Sequence, residues 1–196
     1  MSTRTPWIGW YTDTAAFTAG TEPIRRLITA NGVYEARTTP IGTFSVKRPD
    51  LAAPSLSEGL SWAIPRLPWA LLGALITQFR AALPYEHLAN IYWEPQPGQF
   101  VVELPAQQAD TTSVTTQETT DPYDPQRPRV LQVHSHGTLP AFFSLTDDAD
   151  EQATGCYGVI GNLDTSQPTM AWRFACGGRH VPLSLTDLFI PERMTT

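Results

Sequence analysis

Between Pro68 and Pro84 the apolar residues Leu72, Leu75, Ile76, Phe79 and Leu83 fall at i, i+3, i+4, i+7 and i+11, which is one face of a helix. Pro68 suits the first turn, where its missing N–H costs nothing, and Pro84 ends the run. What makes this stretch decisive is its setting. Strand-like runs stand before it, at Arg26 to Ala30, Val33 to Arg37 and Gly42 to Lys47. More follow it, at Glu86 to Trp93, Gln99 to Leu104, Ser113 to Gln117, Val130 to Val133, Cys156 to Ile160, Thr169 to Ala175 and Arg179 to Leu183. The one other helical segment, Thr146 to Ala153, is short. Strands, a helix and strands again, with no βαβ rhythm, predict an α+β fold rather than a doubly wound sheet.

Turn chemistry refines this outline. Asn31-Gly32 predicts a type I′ turn with positive φ at both central residues, and Gly177-Gly178 predicts a second tight hairpin. Pro95 to Gly98 reads as a turn. With 18 prolines in 196 residues, many of them between strand-like runs, the elements are expected to be short. The Pro/Ser stretch from Ala52 to Glu58 marks a boundary, so a β-rich region over 1–60 is expected to precede the main domain over 61–196.

The net charge of −6 and the absence of a Lys/Arg run argue against direct binding of nucleic acid, which needs a basic footprint. Cys156 and Cys176 form no CxxC pair and no disulfide framework, and read as buried small hydrophobes in a reducing compartment. The N-terminus lacks the apolar core of a signal peptide and no window is long enough to cross a membrane, so a soluble cytoplasmic protein is expected.

The chemistry concentrates in Val133-His-Ser-His-Gly-Thr-Leu-Pro-Ala-Phe-Phe-Ser-Leu-Thr-Asp147. His134 and His136 are two apart at the end of a strand, where i and i+2 share a face, so both imidazoles can turn to one ion. Ser144 is a natural N-cap and Asp147 stands three residues on, as in a capping box, which places its carboxylate in the first helical turn. Two imidazoles and a carboxylate leave a tetrahedral Zn²⁺ one open position for water, the mark of a catalytic site, and the chain offers no four-ligand Cys/His set. Asp148, Asp150 and Glu151 form an acidic run behind the ligand, a solvated helix face in which Asp148 is a candidate to orient a ligand.

This H-S-H-x7-S-x2-D pattern resembles that of the JAMM, or MPN-plus, metalloproteases, in their prokaryotic JAB branch. Leu27-Ile-Thr-Ala-Asn-Gly-Val-Tyr34, Pro140-Ala-Phe-Phe-Ser144 and Thr146-Asp-Asp-Ala-Asp-Glu151 are similar to the A-protein family of PRTRC systems, cassettes related to ParB and ThiF. Gly137 departs from that branch, where a third histidine is expected in many members, but it touches no ligand position. The resemblance implies a JAB/MPN-like, cytidine deaminase-like mixed sheet flanked by helices. It also implies a glutamate far upstream, just after the first helix in a P-x-E context, acting as general base on zinc-bound water. Pro84-Tyr85-Glu86 stands at that place, with Glu103 and then Glu94 as rivals. Ser144 then has two candidate roles, helix cap and hydrogen-bond donor to the oxyanion. His87 and His180 are left over.

The expected activity is zinc-dependent hydrolysis of a peptide or isopeptide bond at the C-terminus of a ubiquitin-like or sulfur-carrier-like protein, with a ThiF-like activating enzyme as an implied partner. The alternative is a non-catalytic MPN-type interaction module. Such modules usually lose the metal ligands, and this chain retains them.

Overall fold

The computed structural model describes residues 7–51, 58–111, 113–116 and 121–190. In chain order the elements are β1 (Ile8–Tyr11), α1 (Thr14–Ala19), β2 (Ile24–Thr29), β3 (Gly32–Thr39), β4 (Gly42–Arg48), β5 (Gly59–Trp62), β6 (Leu67–Pro68), α2 (Trp69–Ala82), β7 (Leu88–Glu94) and β8 (Gln99–Glu103). There follow β9 (Gln107–Ala109), β10 (Val114–Thr116), β11 (Arg129–Ser135), α3 (Leu145–Asp150), β12 (Gly155–Gly161), β13 (Thr169–Cys176), β14 (Arg179–Pro182), α4 (Leu185–Leu188) and β15 (Phe189–Ile190). Two sheets dominate. One has the order β1-β2-β3-β4-β5, the other β14-β13-β12-β11-β7-β8. Each holds a single parallel pair, β1 with β2 and β11 with β12, among antiparallel neighbours. This is the α+β architecture expected, with few helices. No helix among the described residues is long and apolar enough to cross a membrane.

The long helix lies where its periodicity put it. Leu72, Leu75 and Phe79 are buried, and Ile76 and Leu83 pack beside them at the edge of the core. Pro68 is the N-cap rather than the first helical residue, because its ψ of 140° is extended and it still belongs to β6. The helix covers Ala89 and Ile91 of β7, Leu131 and Val133 of β11 and Ile160 of β12, all within one apolar cluster. β11, buried along most of its length, runs through the middle of the sheet, and its C-terminal residues His134 and Ser135 are still buried.

The first sheet has two apolar faces. Leu27, Tyr34 and Ala36 pack under α1 against Phe17. On the opposite face Phe44 and Val46 of β4 join the main core, with the Phe44 and Phe174 rings 5.6 Å apart. Further ties cross the same seam: Trp62 Nε1 donates to the Asp187 carbonyl at 2.8 Å, and Arg179 pairs with Glu58 at 3.0 Å. Glu35, fully buried, is held there by Arg26, Arg37 and Arg48 at 2.9–3.0 Å.

The Gly177-Gly178 hairpin is as predicted, with φ of 61° and 75°. The Asn31-Gly32 turn is not. Thr29 already pairs with Gly32, so the loop centres on Ala30 and Asn31, and of these residues only Gly32 takes a positive φ. The register that sets Leu27 opposite Tyr34 puts two buried side chains together, and the turn follows from it. The expected helix over Thr146 to Ala153 is shorter, ending at Asp150 with Glu151 as its C-cap. Most of the Ala52 to Glu58 boundary, and Gln117 of the expected Ser113 to Gln117 strand, lie outside the described residues.

Candidate metal centre

His134 is the penultimate residue of β11, paired with Leu88 on one side and Val159 on the other. His136 follows just past the strand, and its N–H donates to the Ile160 carbonyl at 2.9 Å. Both imidazoles are buried, with relative exposures of 8% and 7%. Their Nε2 atoms face each other at 3.2 Å, and His134 Nε2 lies 3.5 Å from Asp147 Oδ1. All three donors lie within 4.8 Å of one another.

These distances are a test of fit. Ligands about 2.0–2.1 Å from a tetrahedral ion are separated by about 3.3 Å, the edge of the tetrahedron. The two shorter separations, 3.2 and 3.5 Å, bracket that value. The protonation states fit as well. Burial, above all, pushes His134 down to about 4, so its ring is neutral and its Nε2 can offer a lone pair. His136 Nδ1 is 3.2 Å from the Pro140 carbonyl, which can only accept, so Nδ1 carries the proton and Nε2 is free. The Phe142 ring stands edge-on to His136 with centroids 4.5 Å apart and limits its rotation.

Asp147 divides its two oxygens. Oδ2 accepts from the Ser144 N–H at 2.6 Å and from the Ser144 hydroxyl at 2.7 Å, while Asp147 N–H donates back to Ser144 Oγ at 3.2 Å. This capping box fixes the start of α3 and leaves Oδ1 turned to His134. The Ser144 hydroxyl is thus engaged as a cap.

The loop between the histidines and Ser144 is laid against the end of β12. Asn162 N–H donates to the Leu139 carbonyl at 2.7 Å, Leu163 N–H to the Gly137 carbonyl at 2.9 Å, and Ala141 N–H to Thr169 Oγ1 at 2.8 Å. Gly161 lies directly under it. A Cβ there would meet Leu139 O at 2.2 Å and Ala141 N at 2.5 Å, so only glycine lets the loop come this close.

Ser135, between the two histidines, points to the other side and is fully buried. Its Oγ accepts from His87 N–H at 2.9 Å, and its N–H donates to the His87 carbonyl at 2.8 Å. This two-point grip fastens the segment before β7 to the end of β11. Glu86 is placed by it, and Glu86 N–H donates to the Asp110 carbonyl at 2.8 Å. The Glu86 side chain, 6% exposed, lines the same cavity of about 350 Å³ as His134, His136, Ser144 and Asp147. Its carboxyl is raised to about 7, first by burial, then by the charges of Asp147 and Asp110.

The rivals are elsewhere. Glu103 and Glu94 both meet Arg127, at 2.7 and 3.5 Å, and neither lines the cavity. His87 turns Nδ1 to its neighbour's carbonyl at 3.0 Å, and His180 lies near Asp148 at 3.6 Å; neither lines the cavity. Asp148 pairs with Arg173 rather than with His134 or His136. The cavity is lined by the apolar Leu88, Val114, Leu139 and Phe142 and the acidic Glu86, Asp147, Asp150 and Glu151, and among the described residues no Lys or Arg lines it. Glu151, expected on a solvated helix face, is instead buried and held by Arg173, a residue the sequence reading did not single out. The available signal was a lone charge, Arg173, inside the apolar run Met170-Ala-Trp-Arg-Phe-Ala-Cys176.

A family model described as prokaryotic homologs of the JAB domain matches residues 68–175, more than half of the 196-residue chain. No curated protein matches the sequence. Among solved structures, a protein from Desulfitobacterium hafniense determined in solution is similar at 14% identity and a TM-score of 0.41, over 63% of this chain and 90% of its own.

Proposed function

We propose, because the chain belongs to the prokaryotic JAB family, that it is a zinc-dependent peptidase or isopeptidase of the JAMM type. The observation that carries this reading is the pair of donor separations, 3.2 and 3.5 Å, near a tetrahedral edge, with a buried carboxyl, Glu86, lining the same cavity. His134, His136 and Asp147 would hold the ion. Zn²⁺ bound there supplies a Lewis acid for the scissile carbonyl and a water of near-neutral pKa.

The remaining work falls to the chain. Glu86 accepts the proton of the attacking water and returns it to the leaving amine, and beside a bound cation its buried carboxyl is ionised and ready to accept. Ser144, at the cavity wall, donates its hydroxyl to the developing oxyanion once it turns from Asp147 Oδ2, a contribution of about 3–4 kcal/mol in comparable sites. Phe142 and Leu139 shield the reacting atoms from bulk water. The acidic lining suits a cationic leaving group such as a lysine ε-amine and opposes a free carboxylate.

The substrate we infer is the C-terminal tail, or a conjugate through that tail, of a ubiquitin-like or sulfur-carrier-like protein, with a ThiF-like activating enzyme as partner. The three segments quoted above support the narrower placement among PRTRC-type cassettes, and the six-stranded sheet under α2 supports a cytidine deaminase-like core. The test is cleavage by zinc-loaded protein of a small ubiquitin-like protein extended at its C-terminus or joined to a lysine side chain, followed by mass spectrometry. Wild type should release the tail, and Glu86→Gln should keep zinc and release none. A zinc-loaded wild type that cleaves no such substrate leaves the non-catalytic interaction module as the better account.

A further inference from the structure

Asp147 is carried by a helix with no apolar anchor. α3 has six residues, none of them buried, and Leu145 is 88% exposed. A helix this short is far below the length that holds itself together in water. The capping box orders its first turn but does not attach the turn to the body of the protein.

What attaches it is Arg173. This residue is in the middle of β13 and only 6% exposed. Its guanidinium donates from Nε to Glu151 Oε2 at 2.7 Å, has Nη2 in ion-pair contact with the same oxygen at 2.6 Å, and reaches Asp148 Oδ1 through Nη1. Its Cζ lies over the Phe143 ring, 3.8 Å from the centroid. Phe143 precedes the N-cap, Asp148 follows the ligand, and Glu151 is the C-cap. One side chain thus touches the segment before, just after and at the end of the turn that presents Ser144 and Asp147. His180 adds a weaker contact from β14, at 3.3 Å from the Glu151 carbonyl.

A guanidinium is an unlikely choice for stability alone. Taking it and a carboxylate out of water costs more than their attraction returns in many proteins, and an apolar pair of equal volume does as well or better. A planar fork with two carboxylates and a ring face fixed around it specifies a position instead.

We propose that Arg173 is the positioning residue of the metal centre, fixing α3 so that Asp147 Oδ1 meets the two imidazoles. The proposal rests on the metal-site reading above, and the test separates the two. Affinity for Zn²⁺ is measured by competition with a chromophoric chelator, and coordination geometry by the visible spectrum of the Co²⁺-loaded protein, with thermal melting of the metal-free form in parallel. Wild type is compared with His134→Ala/His136→Ala, Arg173→Lys, and Arg173→Met/Glu151→Gln, which removes the buried charge pair together. Wild type binding no more Zn²⁺ than the double-histidine variant overturns the metal-site reading itself. With that reading intact, the Met/Gln variant should melt within a few degrees of wild type yet bind Zn²⁺ at least tenfold more weakly, with an altered Co²⁺ spectrum. Arg173→Lys, which keeps the charge but loses the fork and the stacking, should also bind more weakly, by threefold or more. Zn²⁺ affinity within twofold of wild type and an unchanged spectrum in either folded variant overturns the proposal.

Discussion

Replacing Glu86 by glutamine should make the metal-free protein more stable, and by an amount that depends on pH. The Glu86 carboxyl is held at about 7 in the folded chain against an ordinary 4.5, by burial and by the charges of Asp147 and Asp110. A folded pKa above the unfolded one means that the native state binds more protons between those two values. Stability from this group is therefore complete below about pH 4.5 and is lost as pH rises to about 7. At about 1.4 kcal/mol per unit, and allowing for access of water through the cavity, the ionised group costs about 2–3 kcal/mol above pH 7. Glutamine has the same shape and bears no such cost. In urea titrations of chelator-treated protein, Glu86→Gln should match wild type at pH 4 and exceed it by about 2–3 kcal/mol at pH 8. Equal stabilities at pH 8, or a gain of the same size at both pH values, would refute the electrostatic argument. The measurement must be made without metal, because a nearby cation favours the ionised form and cancels the effect. A gain in stability with a loss of hydrolysis is the signature of a group kept for function at the expense of the fold.

Other outcomes follow from the same geometry. Zinc content should fall from one ion per chain to none in His134→Ala/His136→Ala, measured by elemental analysis of the purified proteins. Ser144→Ala removes the α3 cap and should cost about 1 kcal/mol in thermal melting, together with a weaker hold on zinc. Glu103→Gln should leave turnover unchanged, since Glu103 meets Arg127 and does not line the cavity; a loss comparable to that of Glu86→Gln would reverse the assignment of the base. Gly158→Ala should destabilise by about 1–3 kcal/mol or more in denaturant unfolding, because a Cβ there would lie 2.2 Å from Trp172 Cζ3.

The parts of the site that could be read from the sequence are those fixed by local spacing. His134 and His136 converge because strand residues two apart share a face, and Ser144 and Asp147 meet because a capping box spans three residues. Glu86 was reachable through the helix that runs up to Pro84, although the bond that anchors its neighbour His87 to Ser135 joins residues 48 apart. Pairings across long sequence distance left no local trace. Phe44 packing on Phe174 and Arg173 gripping Glu151 depend on which strands become neighbours, and alternation of apolar residues does not specify that. The Asn31-Gly32 turn went astray for the same reason: its dipeptide preference was overridden by the Leu27 and Tyr34 pairing.

Gly161 shows how far the demands of the metal centre reach. It has no side chain, binds nothing and does not line the cavity, yet it bears the loop whose Pro140 carbonyl selects the proton on His136. Any larger residue would lift that carbonyl away, and His136 could then place its proton on the nitrogen that faces the other donors. An ion would then find the binding tautomer of the ring less populated. A position that contributes no atom to the chemistry thus decides which nitrogen of His136 offers its lone pair to an ion, and alanine at 161 would be read first as a weaker hold on metal, by the same factor at every pH.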